Sequence, residues 1–302
     1  MRGVNEYNCL LNTRHYDVRY LNNQFHFKLR MKNGFTFVKW AGGKTQLLSQ
    51  FEEFIPKEFN KYIEPFVGGG AVFFHILSKF PNKETIISDN NFELINTYEI
   101  IRDNLIEFIS LISKHKEKHN KNYYYIVRAL EKQKLSKVER AARFVYLNKT
   151  CFNGLYRENS KGNFNVPIGS YNNPQIFDIE RLKKINKFLS KTKIKNQSFE
   201  KVLDDAQEGD FVYFDPPYYP LNETSFTKYL KDDFGKENHI KLAEIFKKLD
   251  KKGVLVMLSN SNTEFIKKLY IDYKQQLVKA RRSINSNGRK RGKINEVVIM
   301  NY

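Results

Sequence analysis

The sequence predicts an α/β fold, a sheet covered on both faces, with a mostly helical insertion. Three observations carry this. Short, apolar, β-rich runs recur along the chain, as strands buried on both faces require. Helix-period segments alternate with them, which is the pattern of an α/β core. The alternation then stops between about residues 92 and 190, where helical spacing and a loop rich in Asn, Gly and aromatics take over.

The elements follow in order. Residues 1–33 are polar and aromatic without a period, and read as an extension. Lys61-Tyr62-Ile63-Glu64-Pro65-Phe66 is a short strand ending in Val67-Gly68-Gly69-Gly70, and Ala71-Val72-Phe73-Phe74 with Ile76-Leu77 opens a helix. Thr85–Ser88 is a second strand closed by Asp89. Leu94 to Leu111 has helical spacing, the charge run Lys114 to Lys121 reads as a solvated helix end or loop, and Glu139 to Leu147 is a further helix. The loop Cys151–Asn159 runs into Gly162–Tyr171. Phe211–Phe214, closed by Asp215, and Val254–Leu258 are the third and fourth strands. The expected division is an extension over 1–33, a core domain over 34–94 and 191–302, and an inserted domain over 95–190.

Composition narrows the function classes. The 302 residues suffice for a sizeable core, and 41% hydrophobic with 15% aromatic residues excludes a disordered or collagen-like chain. No run approaches the roughly 18 apolar residues of a membrane span. The N-terminus lacks the apolar stretch of a secretory signal, so a cytoplasmic protein is expected. Cys9 and Cys151 cannot form a disulfide framework or a four-thiolate zinc site, and no cluster has metal-ligand spacing. The 52 Lys+Arg against 33 Asp+Glu give a net charge of +19. That balance suits a polyanionic partner, nucleic acid first, or else a lysine-rich solvated surface.

The sharpest motif is Asp215-Pro216-Pro217-Tyr218, at the carboxyl end of an apolar strand, where open α/β sheets place ligands. Proline forces the chain out of the sheet in a rigid turn. The turn gathers a carboxylate, a prolyl carbonyl and an aromatic face, which suit a planar base bearing an amino group. The loop Phe66-Val67-Gly68-Gly69-Gly70 lets backbone approach a nucleotide-like ligand; a dinucleotide site and a plain tight turn both fit it, though the full G-x-G-x-x-G fingerprint is absent. Asp89, about 20 residues on, suits ribose hydroxyls or a helix N-cap. Val38-Lys39-Trp40-Ala41-Gly42-Gly43-Lys44 is either part of that site or a core Trp beside a solvated Lys.

Together FVKWAGGK, EPFVGGG, the SDNN turn, CFNGLYREN with FNVPIGSY, VYFDPPY and the basic stretch RRSINSNGRKRGK resemble the Dam-type, D12-class N6-adenine DNA methyltransferases over roughly residues 35–302. The resemblance implies a Rossmann-like S-adenosylmethionine-dependent methyltransferase sheet, with the insertion as the DNA target-recognition domain. It implies S-adenosyl-L-methionine as cofactor and adenine in double-stranded DNA as substrate, within GATC. By motif position, Trp40, Lys44, Asp89 and Asp215, with the loop residues Phe66, Gly68 and Gly70, would contact the cofactor. Asp215, Pro216, Pro217 and Tyr218 would hold the adenine. Asn153, Leu155 and Arg157 fall in the base-reading loop, and Phe152 would fill space around the flipped nucleotide. Many GATC-specific members have Gly-Arg-Tyr where this chain has Gly169-Ser170-Tyr171. The resemblance also admits a cognate restriction endonuclease acting separately, and calls for no metal and no membrane.

The implied reaction is direct methyl transfer to the adenine amino nitrogen. Asp215 and the Pro216 carbonyl would accept its hydrogens and favour a pyramidal nitrogen. Part of the basic segment from Lys279 to Lys293, with Arg289 and Arg291, would follow the phosphate backbone. Three rivals stand beside this reading. A glutamine-directed protein methyltransferase would begin its motif with Asn, an NAD-dependent oxidoreductase would need the full glycine fingerprint, and a catalytically silent DNA-binding regulator would transfer no methyl group.

Overall fold

The computed structural model describes residues 36–221, 234–281 and 293–302. The expected extension over 1–33 lies outside them, as do Arg289 and Arg291. The first half runs α1 (Leu48–Phe51), β1 (Lys61–Glu64), α2 (Ala71–Lys79), β2 (Glu84–Asp89), α3 (Phe92–Asp103), α4 (Leu105–Glu117), α5 (Lys121–Ala129) and α6 (Lys137–Thr150). Then follow α7 (Ile179–Leu189), β3 (Thr192–Asn196), α8 (Val202–Asp205), β4 (Phe211–Phe214), α9 (Lys236–Lys251), β5 (Leu255–Ser261), α10 (Glu264–Leu269), β6 (Lys274–Arg281) and β7 (Lys293–Met300).

The seven strands form one sheet in the order β3-β2-β1-β4-β5-β7-β6. The first five are parallel, and β7 is antiparallel to both β5 and β6. Successive side chains of a strand point to opposite faces, and the core divides accordingly. Tyr62, Ile87, Phe211, Tyr213 and Met257 pack with α2 through α7 on one face. Ile63, Ile86, Val212, Phe214 and Leu258 pack with α8, α9 and α10 on the other. All four residues of β4 are buried, as its apolar run required.

Several expectations are corrected. The strand expected to run to Phe66 stops at Glu64, since Pro65 has no N–H to give the ladder. The segment Leu94–Leu111 is two helices that meet at Asn104, whose φ of −130° interrupts the helical path. Strands β3, β6 and β7 escaped the sequence reading. The edge strand β3 reads Thr-Lys-Ile-Lys-Asn, with Lys193 exposed, so it offers no apolar run. The basic stretch RRSINSNGRKRGK begins at Arg281, the last residue of β6, and ends at Lys293, the first of β7, which pair with one another.

Between β2 and β3 lie α3 to α7 and an irregular stretch after α6. Four of the five helices there, all but α4, begin at side-chain caps. Asn91, Asn120 and Asp178 each accept from a first-turn amide, and Ser136 with Glu139 forms a reciprocal capping box at α6.

Candidate active site

Chain order reverses between β1 and β4, and the carboxyl ends of these two neighbours form the switch point of the sheet. β1 delivers Glu64 and the glycine loop; β4 delivers Asp215. Gly68 and Gly70 adopt φ of +47° and +72°, which side-chain-bearing residues rarely adopt. A Cβ on Gly68 would stand 2.6 Å from the Trp40 ring, so only glycine lets this loop lie against the indole. The indole also stacks on Tyr156, with ring centroids 6.1 Å apart.

Asp215 and Lys44 form the centre of the site. Lys44 Nζ stands 2.6 Å from Asp215 Oδ1 and donates to Oδ2 at 2.8 Å, and it also donates to the Gly42 carbonyl at 2.7 Å. The lysine is 3% exposed, which excludes the solvated-lysine alternative. Its ammonium lies 4.6 Å from the centroid of the Tyr218 ring. Burial pushes the Asp215 carboxyl up to about 6; Lys44 opposes that rise, and the Glu296 charge adds to it. The Tyr218 hydroxyl donates to Glu296 Oε2 at 2.7 Å. Pro216 is buried and Pro217 exposed, so the turn leaves the sheet at once. Its exit is tied to β5, where Asn260 Oδ1 accepts from the Tyr219 amide and the Ser261 hydroxyl donates to the Tyr219 carbonyl. Beneath the site, the buried Glu64 carboxyl accepts from Tyr62 at 2.6 Å, and burial holds its pKa well above the usual range.

Asp89 ends β2 beside the glycine loop. Its two oxygens accept from the Gly68 amide at 3.1 Å and the Asn91 amide at 2.9 Å. The cap of α3 is Asn91, not Asp89, which removes the N-cap alternative. A carboxylate offers about four lone-pair sites, so Asp89 retains acceptor capacity, and burial raises its pKa.

These groups line one open cleft of about 2400 Å³. That exceeds the roughly 300–1,000 Å³ of a small-molecule pocket and leaves room for two ligands side by side. Trp40, Lys44, Phe66, Gly68, Gly70, Asp89 and Asp215–Tyr218 all face it, as do Asn153 and Leu155 from the loop after α6. Phe152 and Arg157 are exposed and do not line it. Phe152 opens a single 3-10 turn in which Asn153 has φ of +55°. Arg157 begins a small hairpin: Glu158 pairs with Phe164, and the Asn165 amide donates to the Arg157 carbonyl. Arg157 Nε donates to Asn165 Oδ1 at 2.8 Å. Glu158 instead pairs with Lys132 at 2.7 Å.

Sequence reasoning missed three groups here. Buried Asn148 of α6 bonds the backbone of Lys39 in both directions and the Gly154 carbonyl, so it locks the Trp40 loop to the loop after α6. Lys149 faces the cleft near Lys39 and Arg181; burial, with these two cations, lowers its pKa to about 8. Glu296 sits 78 residues from Tyr218 in the chain. Cys151 is buried, and burial pushes its thiol up to about 11, so it is no nucleophile at neutral pH. Among the described residues no group of three or more His, Cys, Asp or Glu is placed to hold a metal ion. No helix among them is long and apolar enough to cross a membrane.

The donor set can be tested against the expected cofactor. S-Adenosyl-L-methionine carries ribose hydroxyls, a carboxylate, a sulfonium cation and a purine. Asp89 has free acceptor capacity for the hydroxyls, Lys44 is a cation for the carboxylate, and Asp215 is an anion for the sulfonium. Phe66 and Phe199 stack at 5.3 Å on the cleft wall and offer aromatic surface to the purine. The residues fit the group.

Comparison with known proteins agrees with this chemistry. A family model described as D12 class N6 adenine-specific DNA methyltransferase matches residues 40–284. The chain is 49% identical to the type II methyltransferase M.MjaIII of Methanocaldococcus jannaschii, over 88% of this chain and 98% of that protein. It is 45% identical to the type II methyltransferase M1.LlaDCHI of Lactococcus lactis subsp. cremoris, over 88% and 95%. Against the DNA adenine methylase of Haemophilus influenzae the identity is 36%, over 87% and 92%.

Proposed function

The chain belongs to the D12 class of N6 adenine-specific DNA methyltransferases, and from that premise we propose how its residues divide the work. The cofactor is S-adenosyl-L-methionine, bound by Trp40, Lys44, the Phe66–Gly70 loop, Asp89 and Asp215. Bound there, it supplies an electrophilic methyl group on a sulfonium sulfur. The target adenine leaves the stack of double-stranded DNA, which costs a few kcal/mol, and enters the same cleft beside Asp215–Tyr218.

One observation carries this reading. A half-buried carboxylate, a prolyl turn and a tyrosine ring meet at the switch point, with a lysine ammonium already seated where cationic and N–H groups would be received. The adenine amino nitrogen is a poor nucleophile because its lone pair is delocalised into the ring. Asp215 and the Pro216 carbonyl accept its two hydrogens and turn that lone pair toward the methyl group. On receiving the methyl group from the sulfonium, the amino nitrogen would have to lose a proton, and the Asp215 carboxylate would accept it. Lys44 donates to Asp215 Oδ2, while the buried Oδ1, 2.6 Å from the ammonium, accepts no hydrogen bond among the described residues and is the acceptor offered to the amino group.

Residues 34–94 and 191–302 act as the catalytic domain and 95–190 as the target-recognition domain. Within the latter, Phe152, Asn153, Leu155 and Arg157 meet the DNA, with GATC as the site. Lys39, Lys149 and Arg181, which form no ion pair among the described residues, together with Arg289 and Arg291, serve the phosphates. The relatives named type II methyltransferases support a restriction endonuclease that acts separately on the same sequence. Cytoplasmic location follows from the substrate. The test is Asp215→Ala with labelled cofactor and DNA. Loss of one preorganised hydrogen-bond partner costs roughly 100-fold or more in rate, so transfer should fall at least that far with the thermal unfolding transition retained. Near-normal turnover would remove Asp215 from the chemistry.

A further inference from the structure

We infer that Glu296 is a positioning residue for methyl transfer: it fixes the Tyr218 ring over the target-base position by accepting its hydroxyl. The inference rests on the proposed use of Asp215–Tyr218 as the adenine pocket. Tyr218 stands at the end of a turn that has just left the sheet, and its backbone has no ladder partner there. A ring held only by its own χ angles would sample several rotamers. Among the described residues, two polar contacts hold it. Lys44 lies 4.6 Å from the ring centroid, and the Glu296 carboxylate receives the hydroxyl at 2.7 Å. The first comes from an ammonium already committed to Asp215 and the Gly42 carbonyl, and it touches the ring face without fixing the hydroxyl end.

Glu296 is anchored differently. It lies within β7, paired across to Ser261 of β5 and to Val278 of β6, so its backbone is held from both sides. The residues that follow it, Val297 to Met300, are buried in both faces of the core. Its Cα is thus fixed within the sheet, and a carboxylate's hydrogen bond to a neutral hydroxyl is of the stronger, charge-assisted kind. The tyrosine ring is thereby clamped at its far end by a rigid element. An isolated acidic residue in the otherwise apolar run Glu296-Val297-Val298-Ile299-Met300 has no structural need to face the cleft, yet Glu296 lines it.

A double-mutant cycle tests the inference, with single-turnover methyl transfer, DNA affinity and thermal unfolding measured on every variant. Glu296→Ala should lower the transfer rate on the order of 10- to 100-fold, as misplacement by about an ångström does, while DNA affinity stays unchanged. Glu296→Gln keeps an acceptor oxygen and should restore most of the rate. In a Tyr218→Phe background, which keeps the ring and removes the hydroxyl, Glu296→Ala should add no further loss. Should Glu296→Ala fail to fold, Glu296→Asp withdraws the acceptor by one methylene and repeats the cycle. Wild-type rates in Glu296→Ala, or an equal fractional loss in both backgrounds, would overturn the assignment. Asp215→Ala, run alongside, separates the two readings: turnover by that variant overturns the pocket itself, whereas its inactivity with a null cycle overturns Glu296 alone.

Discussion

Lys44, buried, and Asp215, half-buried, form an ion pair on the wall of the ligand cleft. Burying such charges costs several kcal/mol per ion unless geometry and further hydrogen bonds repay it, and here the Asp215 carboxyl is left with a pKa near 6. The rise has a sign that activity can report. Below about pH 6 the carboxyl is protonated and loses an acceptor for the adenine amino group. Single-turnover rates of the wild type are therefore expected to fall as pH drops through about 6. Lys44 pulls that midpoint down and Glu296 pushes it up, so Glu296→Gln should move it to lower pH. A profile flat to about pH 5 would contradict the assignment. Asp215 was readable from the sequence because two prolines mark where its strand ends. Glu296, Asn148 and Lys149 were not. Each is a single polar residue in a helical or apolar context, and what gives it meaning is a partner brought near only by folding.

The hairpin after α6 shows the same contrast between elements. Its turn formers, Asn159 and Gly162, marked it as a loop, and the backbone does close there, with the Gly162 amide donating to the Asn159 carbonyl. The sequence did not show that Asn165 would brace Arg157, nor that Glu158 would turn to Lys132 and leave the arginine out of an ion pair with its neighbour. A guanidinium held through Nε leaves its two terminal nitrogens, coplanar by resonance, for paired bonds to the major-groove edge of guanine. Arg157→Ala is expected to cost about 1–3 kcal/mol at one base position and to relax discrimination there. Methylation of a panel of single-base site variants measures this; an equal loss across the panel would mark a phosphate contact instead. Among the strands, β4 was plain because both its faces are covered. The edge strand β3 was not, because one margin meets water and lysines stand where the apolar run would be.

Taken whole, the molecule sets a rigid seven-stranded sheet beneath a cleft that receives side chains from both halves of the chain, under a net charge of +19. The charge draws any DNA, and counterion release makes that attraction salt-dependent and indifferent to sequence. On the proposed reading, discrimination then falls to the loop after α6, and chemistry to the switch point between β1 and β4. Asn148 joins the two, since it bonds both the Trp40 loop and Gly154. The alternation of strands and helices made the sheet legible before its topology was known. The reversal of strand order that opens the cleft was not legible, because it depends on which strands pair. The most direct test incubates the purified protein with S-adenosyl-L-methionine and unmethylated genomic DNA, and maps every modified base by sequencing. N6-methyladenine confined to one recurring short sequence is the expected result, GATC being the proposed one. Methyl groups on cytosine, or DNA left unmodified, would contradict it.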